Sequence, residues 1–168
     1  MLIGWDVDDT MGDYRRDKNS KDYFIFRPEF ESFMRFIKEK FPKINNGLLT
    51  ARYEREVVES FEEGGHFYHM RDLFDENYRF AVAEEYQHSL STEAIKIFGQ
   101  RGSLITGMYK KMNAMAKVLE IHPEINYKLI DDYLPIDIEA GLGDSGLSVW
   151  GCFPRKSIDI IHQIYMSG

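Results

Sequence analysis

The stretch Leu2-Ile3-Gly4-Trp5-Asp6-Val7-Asp8-Asp9-Thr10 decides the reading of this chain. An apolar run of four to five residues that ends abruptly in carboxylates is the mark of a short buried strand whose last residue faces a crevice. Two later stretches repeat the pattern. Gly47-Leu48-Leu49-Thr50 is a short apolar strand ending in a hydroxyl, and Tyr127-Lys128-Leu129-Ile130-Asp131-Asp132 is another ending in two carboxylates. Between them lie segments with helical spacing. Phe30, Phe33, Met34, Ile37 and Phe41 recur at intervals of three and four, so a helix is expected over 28–40 with Pro28 in its first turn. A second helix is expected over 53–63, with Val57, Val58 and Phe61 facing inward and Gly64-Gly65 as its stop. A third begins near Lys110, with Met112, Met115, Ala116 and Leu119 on one face, and ends at His122-Pro123.

Strands alternating with helices imply an α/β fold, with a central, mostly parallel sheet covered by helices on both faces. Further strands are expected at 80–83 and 147–150, and helices at 93–98 and 156–165. Residues 11–27 are polar and then alternate into Tyr23-Phe24-Ile25-Phe26, which reads as a loop or hairpin flap. The whole of 1–168 reads as a single domain, with 75–106 its least legible part and the place for a small insertion. In such sheets the site lies beyond the carboxyl ends of the strands. Asp6, Thr50 and Asp131-Asp132 are therefore expected to meet in one crevice.

Several carboxylates gathered together repel one another unless a cation joins them. A hard, oxygen-seeking ion relieves this, and Mg2+ is the usual choice beside phosphate. Asp6, Asp8, Asp131 and Asp132 are the candidate metal ligands. Asp6 is also the candidate nucleophile, and Asp8, two residues on, the candidate general acid and base. Thr50 and Lys110 are the candidate donors to phosphoryl oxygens, with Lys111 the competing choice for the lysine. Asp9 points the other way from Asp8 in an extended chain, so it is expected to be structural. His66 and His69 follow a Gly-Gly pair and are expected in a surface loop.

These residues, in this order, resemble the four motifs of the haloacid dehalogenase superfamily. Asp6-Val7-Asp8-Asp9-Thr10 is similar to its Asp-x-Asp-x-Thr motif, Leu48-Leu49-Thr50 to its second, Lys110 to its lysine and Leu129-Ile130-Asp131-Asp132 to its acidic pair. The resemblance implies a Rossmann-like fold and a phospho-aspartate on Asp6. It also implies a Mg2+-dependent phosphomonoesterase. Phe26-Arg27-Pro28-Glu29-Phe30 further resembles the small phosphatases related to those acting on the RNA polymerase C-terminal domain. Their first motif reads Asp-Leu-Asp-Glu-Thr-Leu, where this chain has Asp-Val-Asp-Asp-Thr-Met.

Segments 11–49 and 51–109 are each too short for a full cap domain. In the superfamily the chain resembles, caps sit in these two segments, so the resemblance implies an open site and with it a phosphorylated macromolecule as substrate, or a partner or oligomer that closes the site. A small-molecule phosphatase acting on nucleotides or sugars, and a catalytically silent binding domain, are the alternatives.

Composition sets the outer bounds. Apolar residues make up 43% and charged residues 29%, enough to bury a core and too apolar for disorder. The net charge of −7 argues against non-specific nucleic-acid binding. No apolar run reaches the roughly 20 residues a membrane helix needs. A single cysteine and no secretory pattern at Met1–Asp6 lead to the expectation of a cytoplasmic protein without membrane partners.

Overall fold

A computed structural model of the chain describes residues 1–16, 22–82, 110–111, 114–131, 148–151 and 164. Its core is a five-stranded sheet of β1 (Leu2–Trp5), β4 (Asn45–Thr50), β5 (Arg79–Ala81), β6 (Tyr127–Ile130) and β7 (Ser148–Gly151). The spatial order is β5-β4-β1-β6-β7, and every neighbouring pair is parallel. β2 (Gly12–Arg16) and β3 (Asp22–Phe26) form a separate antiparallel hairpin, as the alternation after Met11 implied. The helices are α1 (Phe30–Lys40), α2 (Glu54–Phe61) and α3 (114–121), with residues 110–111 also helical. Two 3-10 turns, Tyr68–Leu73 and Glu76–Tyr78, lead from α2 to β5. Among the described residues, no helix is long and apolar enough to cross a membrane.

Alternation along the strands divides the core in two. Ile3, Trp5, Leu48 and Ile130 point to one face, where Phe30, Met34 and Ile37 of α1 and Val57 and Phe61 of α2 cover them. Leu2, Leu49, Tyr127 and Leu129 point to the other face, against Met115 and Val118 of α3. The period of two along a strand makes this inevitable once both faces are covered. Trp5 is fully buried and stands edge-on to Phe30 at 5.5 Å. Its indole N–H donates to Asn46 Oδ1 at 3.0 Å, so the largest core side chain is also hydrogen-bonded. Gly4 packs closely on Tyr127: a Cβ there would lie 3.0 Å from the Tyr127 ring and hydroxyl, so the ring would have to shift to admit it.

The chain runs outward from β1 to β4 and β5, then returns to β6 on the other side of β1. The strand order thus reverses at β1, and the carboxyl ends of β1 and β6 flank the topological switch point. That is where open α/β sheets place their ligands.

Three expectations need adjustment or fall elsewhere. α1 begins at Phe30, two residues after Pro28, because Pro28 and Glu29 form the preceding turn. In α2, Val57 and Phe61 are buried but Val58 is 51% exposed. Positions 57 and 61 are one helical turn apart and share a face, whereas 58 is rotated about 100° from 57. The expected helix at 93–98, and 156–165 apart from the helical Ile164, lie outside the described residues, as does most of the 75–106 segment.

Val57→Ala is expected to lower stability by roughly 2 kcal/mol, the loss of two buried methyl groups plus a cavity. Val58→Ala is expected to stay within about 0.5 kcal/mol of wild type. Urea denaturation of both variants checks the facing of α2, and equal losses would contradict it.

Candidate active site

Asp6 follows β1 directly, and its backbone N–H donates to Ile130 O at 2.9 Å, which continues the β1–β6 ladder by one residue. Its side chain is buried at the carboxyl edge of the sheet. Asp131, the residue after β6, is buried beside it. The Lys111 ammonium lies between them, donating to Asp6 Oδ1 and to Asp131 Oδ2, each at 2.6 Å. The other Asp6 oxygen, Oδ2, accepts from the Thr10 hydroxyl at 3.1 Å. Burial alone pulls the Lys111 ammonium down. The charges of Asp6 and Asp131 and their hydrogen bonds outweigh it, and the group ends well above the ordinary lysine range.

Lys111 therefore corrects the preference for Lys110. Residues 111, 115 and 118 share the face of a helix that packs on the sheet, and Met115 and Val118 are buried there. Lys110 is turned about 100° away and only half-buried. The Met112–Met115 spacing had suggested the neighbouring residue.

Thr50 closes β4 as expected, and it is fully buried. Its hydroxyl has no hydrogen-bond partner among the described residues.

Asp8 takes a different partner. Its side chain is half exposed and is gripped by Arg52, whose Nε–H and Nη2–H donate to Oδ2 at 3.0 Å and Oδ1 at 2.7 Å. Arg52 lies in the turn between β4 and α2 and was not singled out from sequence. The available signal was its position: two residues after Thr50, at the carboxyl end of a central strand. Arg27, quoted above in the Phe26-Arg27-Pro28 stretch, acts on the neighbouring turn. Its guanidinium donates to the carbonyls of Thr10 (3.0 Å) and Asp9, which holds the turn after β1 closed. Asp9 sits in that turn at φ +60°, a conformation that aspartate tolerates better than most residues. Partial burial, a hydrogen bond with Asp13 and the charges of Asp13 and Asp8 raise its carboxyl above the usual range, against the pull of Arg27. His69 is exposed and His66 half-buried, with burial and the Arg52 charge lowering His66.

Asp132 lies outside the described residues. Among the described residues, no three His, Cys, Asp or Glu side chains are grouped to hold a metal ion. The donor set still suits Mg2+, which takes only one or two carboxylates and fills the rest of its shell with water and phosphate oxygens. Asp6 and Asp131 are two such hard donors on adjacent strands, and the positive charge between them is the Lys111 ammonium.

Comparison with protein-family models, curated proteins and solved structures found no match for the chain.

Lys111→Met is expected to destabilise the fold by roughly 3–5 kcal/mol, since two buried carboxylates lose their shared ammonium. Lys110→Met is expected to be within about 0.5 kcal/mol of wild type. Thermal and urea unfolding distinguish the two, and the reverse ranking would contradict the assignment of Lys111.

Proposed function

We infer that the chain is a Mg2+-dependent phosphomonoesterase of the haloacid dehalogenase type, with Asp6 as the residue that takes up the phosphoryl group. The observation that carries this reading is the buried Asp6–Lys111–Asp131 cluster at the switch point of a parallel sheet. Phosphoryl transfer asks mainly for positioning and neutralisation of charge, and such a cluster is suited to both.

In the first step an Asp6 carboxylate oxygen attacks phosphorus, and the bond from phosphorus to the leaving oxygen breaks with its electron pair on that oxygen. Asp8 gives the leaving oxygen a proton. In the second step water attacks the phospho-aspartate, gives a proton to Asp8, and the bond between phosphorus and the Asp6 oxygen breaks to restore the carboxylate. Lys111 and the Thr50 hydroxyl are the donors proposed for the phosphoryl oxygens. Asp6 and Asp131, with Asp132 as a further candidate, would hold Mg2+, which supplies neutralisation of the phosphoryl charge. The Thr10 hydroxyl fixes the rotation of the Asp6 carboxylate.

The substrate is a phosphorylated molecule. With neither 11–49 nor 51–109 long enough for a full cap, a phosphoprotein is the first class to screen, and nucleotides and sugar phosphates are the second. A cytoplasmic location and closure of the site by an oligomer belong to the same proposal. A silent binding domain is disfavoured because both motif carboxylates, Asp6 and Asp8, are present.

Wild type is expected to release phosphate from para-nitrophenyl phosphate only with Mg2+. Asp6→Asn is expected to lower the rate by on the order of a thousand-fold or more while leaving the circular dichroism unchanged. Near-normal activity in Asp6→Asn would remove Asp6 as nucleophile. Asp131→Ala is expected to raise the Mg2+ concentration needed for half-maximal rate, and an unchanged Mg2+ titration would remove Asp131 from the ligand set.

A further inference from the structure

Arg52 is a guanidinium packed almost entirely inside the protein, its side chain only 7% exposed, yet its partner Asp8 is 50% exposed. That inversion is informative. An aspartate on an exposed turn would normally rotate freely, and a buried arginine would normally seek a buried carboxylate. Here the fork of Arg52 reaches out of the core and holds both Asp8 oxygens, at 2.7 and 3.0 Å. Two parallel N–H donations to one carboxylate fix its rotation as well as its place.

The fork is itself held by a socket. The guanidinium carbon lies 5.5 Å from the centroid of the Phe24 ring in β3 and 6.0 Å from that of Phe67. These two rings meet edge-to-face at 5.5 Å, and Phe26 joins Phe67 at 5.4 Å. Aromatic faces attract a guanidinium and fill the space around its stem. The hairpin, the turn after β4 and the segment before the first 3-10 turn thus meet on Arg52, and what they jointly hold is the orientation of Asp8.

We propose that Arg52 is the positioning residue for Asp8 in the second half-reaction, the attack of water on the phosphorylated Asp6. This rests on the phosphomonoesterase reading. The fork fixes both the place and the rotation of the Asp8 carboxylate, which is what the group that takes a proton from the attacking water needs from its surroundings. Arg52 acts through Asp8 and need not touch the phosphoryl group.

The choice of substrate isolates this step. Para-nitrophenolate leaves without help from an acid, so with para-nitrophenyl phosphate Asp8 matters for breakdown of the phosphoenzyme and little for its formation. Rapid-mixing kinetics with Mg2+ are compared for wild type, Arg52→Gln and Arg52→Lys. Arg52→Lys keeps charge and a packed stem but has no fork, and it serves if Arg52→Gln does not fold. Both variants are expected to release close to one para-nitrophenol per site in a burst. A steady rate roughly a hundred-fold below wild type, the scale of a general base, should follow, with no comparable rise in KM. Arg52→Gln added to Asp8→Asn is expected to slow the steady rate no further than Asp8→Asn alone, because the two act as one unit.

A slow single phase without a burst in the variants, a raised KM as the main effect, or additive losses in the double variant would each overturn the proposal. The first and third would make Arg52 a structural tie, and the second a phosphoryl ligand. Absence of para-nitrophenol release by wild type would instead sink the phosphomonoesterase reading, and this proposal with it.

Discussion

The structure turns on one ammonium between two carboxylates. Asp6 and Asp131 leave adjacent parallel strands at the same edge of the sheet, and both are buried there. Two like charges at such a buried place would each disfavour ionisation of the other. Lys111 answers this with two contacts of 2.6 Å. It also ties the helical pair 110–111 to the ends of β1 and β6, since the residues it joins are 105 and 20 positions away. A buried ion cluster of this kind is seldom the cheapest way to stabilise a core. Its place at the switch point of the sheet is what gives it a reason.

Much of this was legible in sequence because it depends on local chemistry. The three strands were readable because each is a short apolar run, and two of the residues expected at their ends, Asp6 and Asp131, do meet through Lys111. The parallel arrangement followed from the intervening helical periodicity, and both faces of the sheet are indeed covered. The hairpin was readable from the alternation at Tyr23-Phe24-Ile25-Phe26.

What was not legible depends on angles that sequence leaves open. Val58 is apolar and adjacent to a core position, yet a rotation of about 100° per residue carries it to the surface. The same rotation separates Lys110 from Lys111. The decisive clue there was the 111–115–118 stripe, which competes with the apolar spacing of Met112, Met115, Ala116 and Leu119. Arg52 was missed for a different reason. A lone arginine after a strand carries no pattern, and its meaning comes from Phe24 and Phe67, 28 and 15 positions away, which the fold brings around it. Arg27 was read only as part of the Phe26-Arg27-Pro28 stretch, and its tie to the carbonyls of Asp9 and Thr10 comes from the fold.

The central claim is that Asp6 carries the phosphoryl group, and the most direct measurement is to catch it doing so. Enzyme mixed with para-nitrophenyl phosphate and Mg2+ is quenched in the steady state and reduced with borohydride, which converts an acyl phosphate to an alcohol. Peptide mass spectrometry is then expected to find homoserine in place of aspartate at position 6 and nowhere else. Homoserine at Asp8 or Asp131, or turnover with unmodified Asp6 under conditions that trap an acyl phosphate standard, would contradict the account.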